Sequence, residues 1–278
     1  MSQQIKLLLS NLTTEDVSNY YDLIGKVIKE DFSELSSKYS TIKVLMFRLE
    51  NIAPETVKKE IEDFLGGKVL NLSDNQPITI RFTAYPPKAC LEINLSTFEK
   101  FEEWKQRLAI RHECAHMLFY QQSKTLMSLL TKYGEEKIKA FIKFYDEYEV
   151  HALMIKKWVD DWLKEPVGAT DSMPDPAIIA FQIRKSQGKR ESMFFEIQNM
   201  VHLITLLKLY EMVPNEKKNI IKDKKSNAKK YLRVFANALT VDSKKFTEPT
   251  NWFDKQDLLT LEAYFQKIEK LLTLVDSP

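Results

Sequence analysis

The chain has 278 residues, of which 44% are hydrophobic and 29% are charged, and its formal net charge is +2. This composition is typical of a globular protein with one or two domains, and no bulk charge favours nucleic acid or a membrane surface as a partner. Six glycines form no phosphate-binding pattern, and two cysteines are too few for a disulfide framework. The apolar run at the start is too short for a signal peptide and no run could span a membrane, so we expect a cytoplasmic protein.

The first 77 residues alternate between helical and extended patterns. A helical pattern runs from residue 11 to residue 39, and the apolar, β-branched residues 41–49 predict a strand. Residues 54–64 predict a short helix, because a proline starts the segment and a glycine pair closes it. Residues 68–72 favour another strand. The alternation indicates a small α+β layer, in which we find no residues that indicate chemistry.

Residues 78–85 alternate between apolar and polar side chains, and residues 89–95 do the same after a Pro-Pro turn. This spacing predicts a β-hairpin. Directly afterwards, Ser96 and Glu99 fit a capping box, with Ser96 as the N-cap of a helix. Apolar residues then recur at helical spacing, which predicts a helix over residues 97–122.

This predicted helix contains the motif H-E-x-x-H, with His112, Glu113 and His116. Residues four apart on a helix lie on one side, so the two imidazoles can occupy two corners of a zinc tetrahedron. Glu113 stands where its carboxylate can act as general base on the water that the metal activates. Cys114 is offset from both histidines around the helix, which indicates a packing role.

A third metal ligand is expected from a second helical pattern over residues 135–164. Glu147 and His151 are four apart in it and share a side with large apolar residues, where ionisable groups are costly unless they are paired or ligated. The ligand could be Glu147, His151 or Glu149, of which Glu147 fits best. Alternatively, these carboxylates simply pair with lysine or arginine.

H-E-x-x-H followed by E-Y-E-V-H at residues 147–151 resembles the gluzincins, a family of zinc metallopeptidases with a zincin fold. The resemblance covers about residues 78–160. It implies that Glu147 is the third zinc ligand and that His151 occupies the position of an aspartate that orients a ligand histidine. A histidine there departs from the family pattern, and it could donate or accept a similar hydrogen bond. In zincins, a strand beside the active-site helix also offers its edge to an extended peptide.

Residues 166–176 are rich in proline and predict a domain boundary, with an α+β domain at 1–165 and a mainly helical domain at 166–278. Helical patterns cover residues 193–210 and 258–274, and His202 is expected to be a core histidine. Lysine and arginine are frequent over residues 216–233, which indicates a solvated helix face or, less simply, a patch for nucleic acid or an acidic partner.

These patterns together predict an α+β protein with a zincin-like core and a helical C-terminal half. The expected function is zinc-dependent hydrolysis of peptides or unfolded protein, with Tyr120, Tyr145 and Tyr148 as candidate donors to the oxyanion. The enzyme could be latent, with its cleft covered by another part of the chain. The alternative is a catalytically silent zincin scaffold that binds a metal, a protein partner or nucleic acid.

Overall fold

A computed structural model describes residues 14–67, 77–84, 87–119, 135–164, 203 and 206–238. These residues are mostly helical and contain one small three-stranded mixed sheet, which is compatible with the predicted α+β class. The chain divides into two compact units, Met1–Ser123 and Lys124–Pro278. The predicted boundary at 165–166 and the predicted elements at 68–72 and 258–274 lie outside the described residues.

The first unit begins with helix α1, Thr14–Asp31, and the single-turn helix α2, Leu35–Lys38. The sequence predicts one uninterrupted helix here, whereas the chain leaves helical geometry between the two segments. Phe32 lies at this interruption and is fully buried, and Tyr39 follows α2 with only 3% of its surface exposed. The interruption between α1 and α2 therefore coincides with the burial of these two aromatic side chains, and such tertiary packing can override helix propensity.

Three strands form the sheet of the first unit: β1, Thr41–Phe47, β2, Ile78–Ala84, and β3, Pro87–Asn94. Their spatial order is β1-β3-β2. Strand β3 is parallel to β1 and antiparallel to β2. The predicted hairpin is therefore confirmed, and it joins β2 at one edge of the described sheet to the central strand.

The core of the first unit lies on both faces of β3. Helix α3, Pro54–Leu65, packs on one face through Val57 and Ile61, which contact a cluster of buried residues on the strands. The opposite face of β3 is also buried, at Leu91 and Ile93. Full burial of such side chains stabilises the fold by about 1.5–3 kcal/mol each. Helix α3 ends where Gly66 adopts φ 77°, a left-handed conformation that glycine takes without steric cost.

The helix that carries the H-E-x-x-H motif differs at its start from the prediction. The chain forms a single turn, α4, Leu95–Phe98, and then helix α5, Glu103–Phe119. The predicted N-cap at Ser96 is wrong: Asn94 is the N-cap, and its side chain accepts a hydrogen bond from the Ser96 backbone N–H. Asn is as good an N-cap as Ser, so residue type alone does not favour Ser96 over Asn94.

Helix α6, Glu135–Lys164, is the long element of the second unit and matches the predicted range. It contains one interruption at Trp158, whose φ of −138° and ψ of 46° are not helical. Residues 206–212 are also helical, a 3-10 helix follows over Asn215–Ile221, and helix α7 spans Lys222–Ala238. Within the described parts of the chain, no helix combines the length and apolar character needed to cross a bilayer.

Candidate metal centre

Helix α5 brings the two histidines of the motif together. The Nε2 atoms of His112 and His116 lie 3.1 Å apart, and their rings meet edge to face with centroids 4.7 Å apart. His116 is buried, with 8% of its surface exposed, while His112 is partly exposed. The predicted convergence of the two imidazoles therefore follows from their spacing of one helical turn.

The separation of the two Nε2 atoms fits a shared metal ion. Two nitrogen ligands at the zinc–nitrogen distance of a tetrahedral site lie about 3.3 Å apart, and the observed distance is 3.1 Å. Without a metal, the same distance suits a hydrogen bond in which one neutral ring donates and the other accepts. A metal cation could therefore replace the proton that lies between the two Nε2 atoms in this hydrogen bond.

Glu113 belongs to the same group of side chains. One ligand atom from each of His112, Glu113 and His116 lies within 4.8 Å of the others. Glu113 is partly exposed. A carboxylate beside two potential ligand nitrogens can bind a metal itself, or it can accept a proton from a water molecule nearby.

Side chains from outside helix α5 hold it in place around the motif. Arg111, which precedes the first histidine, donates from Nε to Asp31 Oδ2 at the end of α1 over 2.8 Å. At the other end of α5, the Tyr39 hydroxyl donates to the Met117 carbonyl over 2.7 Å, and Lys38 Nζ donates to the Leu118 carbonyl over 3.2 Å. Carbonyls in the last turn of a helix lack partners within the helix, so these bonds stabilise the end that carries His116.

Cys114 lies between the two histidines but belongs to the core. Its side chain is fully buried, and burial raises the pKa of its thiol far above the ordinary value. Metal ligation requires a thiolate, so Cys114 is suited to packing, as the sequence indicates.

The second motif lies on α6, in the other unit of the chain. His151 is buried, Glu147 and Glu149 are partly buried, and His151 Nε2 lies 3.7 Å from Glu147 Oε2. Tyr148 is buried and its hydroxyl donates to Met212 Sδ over 3.8 Å. Burial raises the pKa of Tyr148 to about 12, so this phenol keeps its proton at neutral pH. Tyr120 and the Tyr145 side chain lie outside the described residues.

No sequence pattern indicated the partly buried ion pair on the β2–β3 hairpin of the first unit. Arg81 Nε lies 2.5 Å from Glu92 Oε1, and the Glu92 side chain is 4% exposed. Burial raises the pKa of Glu92 to about 7, the nearby Glu113 charge adds to the effect, and Arg81 opposes it. The alternating polarity of residues 89–95 predicts a half-buried strand but does not indicate that Glu92 is buried.

Glu92→Gln is expected to change how stability depends on pH. The folded-state pKa of Glu92 is about 7, above the unfolded value, so its contribution to stability is complete below about pH 4 and is lost as pH rises through 7. Between pH 5 and pH 8, the parent should lose about 2–3 kcal/mol of unfolding free energy relative to Glu92→Gln. Urea unfolding at both pH values, with a chelator present, measures this difference.

The exposed Glu103 offers the matched control, because its side chain is 76% exposed. Glu103→Gln should follow the pH dependence of the parent. Equal slopes for the parent and Glu92→Gln would show that Glu92 titrates normally in the folded protein.

Comparison of the chain with models of known protein families, with curated proteins and with solved structures found no match.

Proposed function

We propose that the protein is a zinc-dependent peptidase with a zincin-like core, in which His112, His116 and Glu147 would hold the metal. The observation that carries this proposal is the 3.1 Å separation of the two Nε2 atoms on α5, with Glu113 in the same group of side chains. Glu147 is proposed from its position in the E-Y-E-V-H motif, one helical turn before His151.

The chemistry then divides between the metal and Glu113. Zinc in such a site supplies a Lewis acid, which polarises a carbonyl and makes water more acidic. The Glu113 carboxylate would accept a proton from the attacking water and later donate it to the leaving amine, so that no net proton is gained or lost by the protein. Arg111 and Tyr39 would support this step by holding α5 at both sides of the motif.

The proposed substrate is a peptide or an unfolded segment of protein. Within the described sheet, β2 pairs with β3 along one edge only, and α5 packs against β2. A strand at the edge of a sheet can add an extended peptide by backbone hydrogen bonds. The position of this edge beside the helix that carries Glu113 supports a peptide substrate over a compact small molecule.

A cytoplasmic location is also part of the proposal. Cys90 and Cys114 are both buried free thiols, and free thiols persist best in a reducing compartment.

The ligand set is tested by zinc content after dialysis of metal-loaded protein. We expect about one zinc per chain in the parent, since a catalytic site holds a single ion with three protein ligands. His116→Ala and Glu147→Gln should both lose most of this zinc. Glu149→Gln makes the same chemical change two residues away and should retain it.

Hydrolysis of casein and of a peptide library, with and without chelator, separates the enzyme from a silent scaffold. Chelator-sensitive cleavage supports the peptidase. Full zinc content without any cleavage would favour the metal-binding scaffold instead. Zinc retained in Glu147→Gln but lost in Glu149→Gln would show that the third ligand is misassigned.

A further inference from the structure

A buried hydrogen bond in the second unit determines which nitrogen of His151 carries a proton. Trp162 Nε1 donates to His151 Nδ1 over 3.0 Å, and both residues are buried. An indole N–H can only donate, so Nδ1 must accept and carries no proton. The single proton of the neutral ring therefore lies on Nε2.

The protonated nitrogen of His151 faces a carboxylate. His151 Nε2 lies 3.7 Å from Glu147 Oε2, slightly longer than a direct hydrogen bond. Because the two residues are one helical turn apart on α6, the N–H dipole and the carboxylate share a side of the helix. The ring thus has one nitrogen occupied by the indole and the other directed at Glu147.

This arrangement is the reverse of what a metal-binding histidine requires. A ligand histidine offers a lone pair from one nitrogen and donates its proton from the other to a nearby acceptor. If His151 bound a metal through Nε2 while Nδ1 accepted from Trp162, the ring would have to lose both protons. Of the residues that the sequence leaves as candidates for the third ligand, His151 is accordingly disfavoured.

We propose that His151 is a positioning residue, held by Trp162 in the tautomer that points Nε2–H at Glu147. Oε2 of Glu147 then faces the imidazole, and Glu147 would offer a metal a carboxylate whose orientation His151 sets. The role of Glu147 as a ligand rests on the proposed function, whereas the tautomer of His151 does not. A histidine at this position supplies a donor to the Glu147 carboxylate, which an ionised aspartate could not do.

The interruption of α6 at Trp158 makes the Trp162–His151 bond possible. In an unbroken helix, residues eleven apart are separated by about 16 Å along the axis, farther than these two side chains can span together. The non-helical backbone at Trp158 redirects the last turns of α6, so that the indole returns to His151. The Tyr210 ring packs edge-on against the indole, with centroids 6.3 Å apart, and helps to hold it there.

The tautomer is tested by NMR of the full chain with 15N-labelled histidine, free of metal and at a pH where the imidazole is neutral. The spectrum of His151→Gln identifies the signals of His151 by their loss. In the parent we expect an unprotonated Nδ1 and a protonated Nε2. Trp162→Phe should shift these signals toward a mixture of tautomers, while Trp104→Phe, in the other unit, should leave them unchanged.

A proton on Nδ1 in the parent would overturn the proposal, and so would signals that do not move in Trp162→Phe. If circular dichroism shows that Trp162→Phe does not fold, the NMR spectrum of the parent alone still decides which nitrogen of His151 is protonated.

Zinc titration provides the second measurement and separates this proposal from the proposed function. The Nε2 proton of His151 should remain when zinc binds, and its loss on binding would identify His151 as a ligand. His151→Leu should weaken zinc binding by about 10–100-fold, and His151→Gln, which keeps an N–H donor, should recover part of the affinity. Equal affinities in His151→Leu and the parent would contradict the positioning role. If the parent binds no zinc, the proposed function fails while the tautomer result stands.

Discussion

Glu113→Gln should lower the rate of peptide hydrolysis by about 10²–10⁴-fold, the usual contribution of a general acid–base group. Glutamine has nearly the same shape as glutamate but cannot accept a proton from the attacking water. The zinc content should stay at the level of the parent, because His112 and His116 are unchanged. The measurement is kcat/KM with a fluorogenic peptide, together with zinc analysis of the same samples.

Glu103→Gln is the matched control on the same helix, because Glu103 is exposed and lies in the first turn of α5. It should hydrolyse the peptide at the rate of the parent. A Glu113→Gln variant that cleaves as fast as the parent would remove Glu113 from the reaction, and a loss of zinc in it would indicate that Glu113 is a ligand rather than a base.

Phe98→Ala is expected to destabilise the protein by about 3–5 kcal/mol, the usual cost of removing a fully buried phenylalanine. Phe98 is the last residue of α4, is completely buried and packs edge-on against Tyr20 of α1, with ring centroids 5.6 Å apart. Its backbone carbonyl accepts a hydrogen bond from Gln106 of α5 over 3.2 Å. Removal of the ring would leave a cavity where three helices meet. Urea unfolding at neutral pH measures the loss.

The neighbouring position on α1 provides the control. Tyr21 is 38% exposed, so Tyr21→Ala should change the unfolding free energy by no more than about 1 kcal/mol. If Phe98→Ala lowers the unfolding free energy by no more than about 1 kcal/mol, as expected for Tyr21→Ala, Phe98 is not part of the core.

The elements with strong local signals were predictable. Helix α3 has a proline at its start and a glycine after its end, and the strands of the hairpin alternate in polarity, so each could be assigned from a few neighbouring residues. The start of the helical segment was not predictable, because Asn and Ser are equally good N-caps and the chain forms the single turn α4, capped by Asn94, before α5 begins at Glu103. The closeness of His112 and His116 was also predictable, since it depends only on their spacing within one helix.

The residues that support α5 gave no local signal. Asp31 is 80 positions from Arg111, and Tyr39 is 78 positions from Met117. No periodicity connects residues so far apart, since their contact depends on how α1 and α2 pack against α5. Glu92 was missed for a related reason: the pattern of β3 predicts a polar face open to water, but burial makes that carboxyl titrate near pH 7.

The sequence by itself determined that His112 and His116 converge, because any regular helix brings side chains four apart to one side. Only the tertiary structure decided the chemical state of His151. Its tautomer depends on Trp162, which reaches it through the break at Trp158 and the packing of Tyr210. In an uninterrupted helix the side chains of His151 and Trp162 would be too far apart to form a hydrogen bond. The bond therefore depends on the path of the whole segment and not on local spacing.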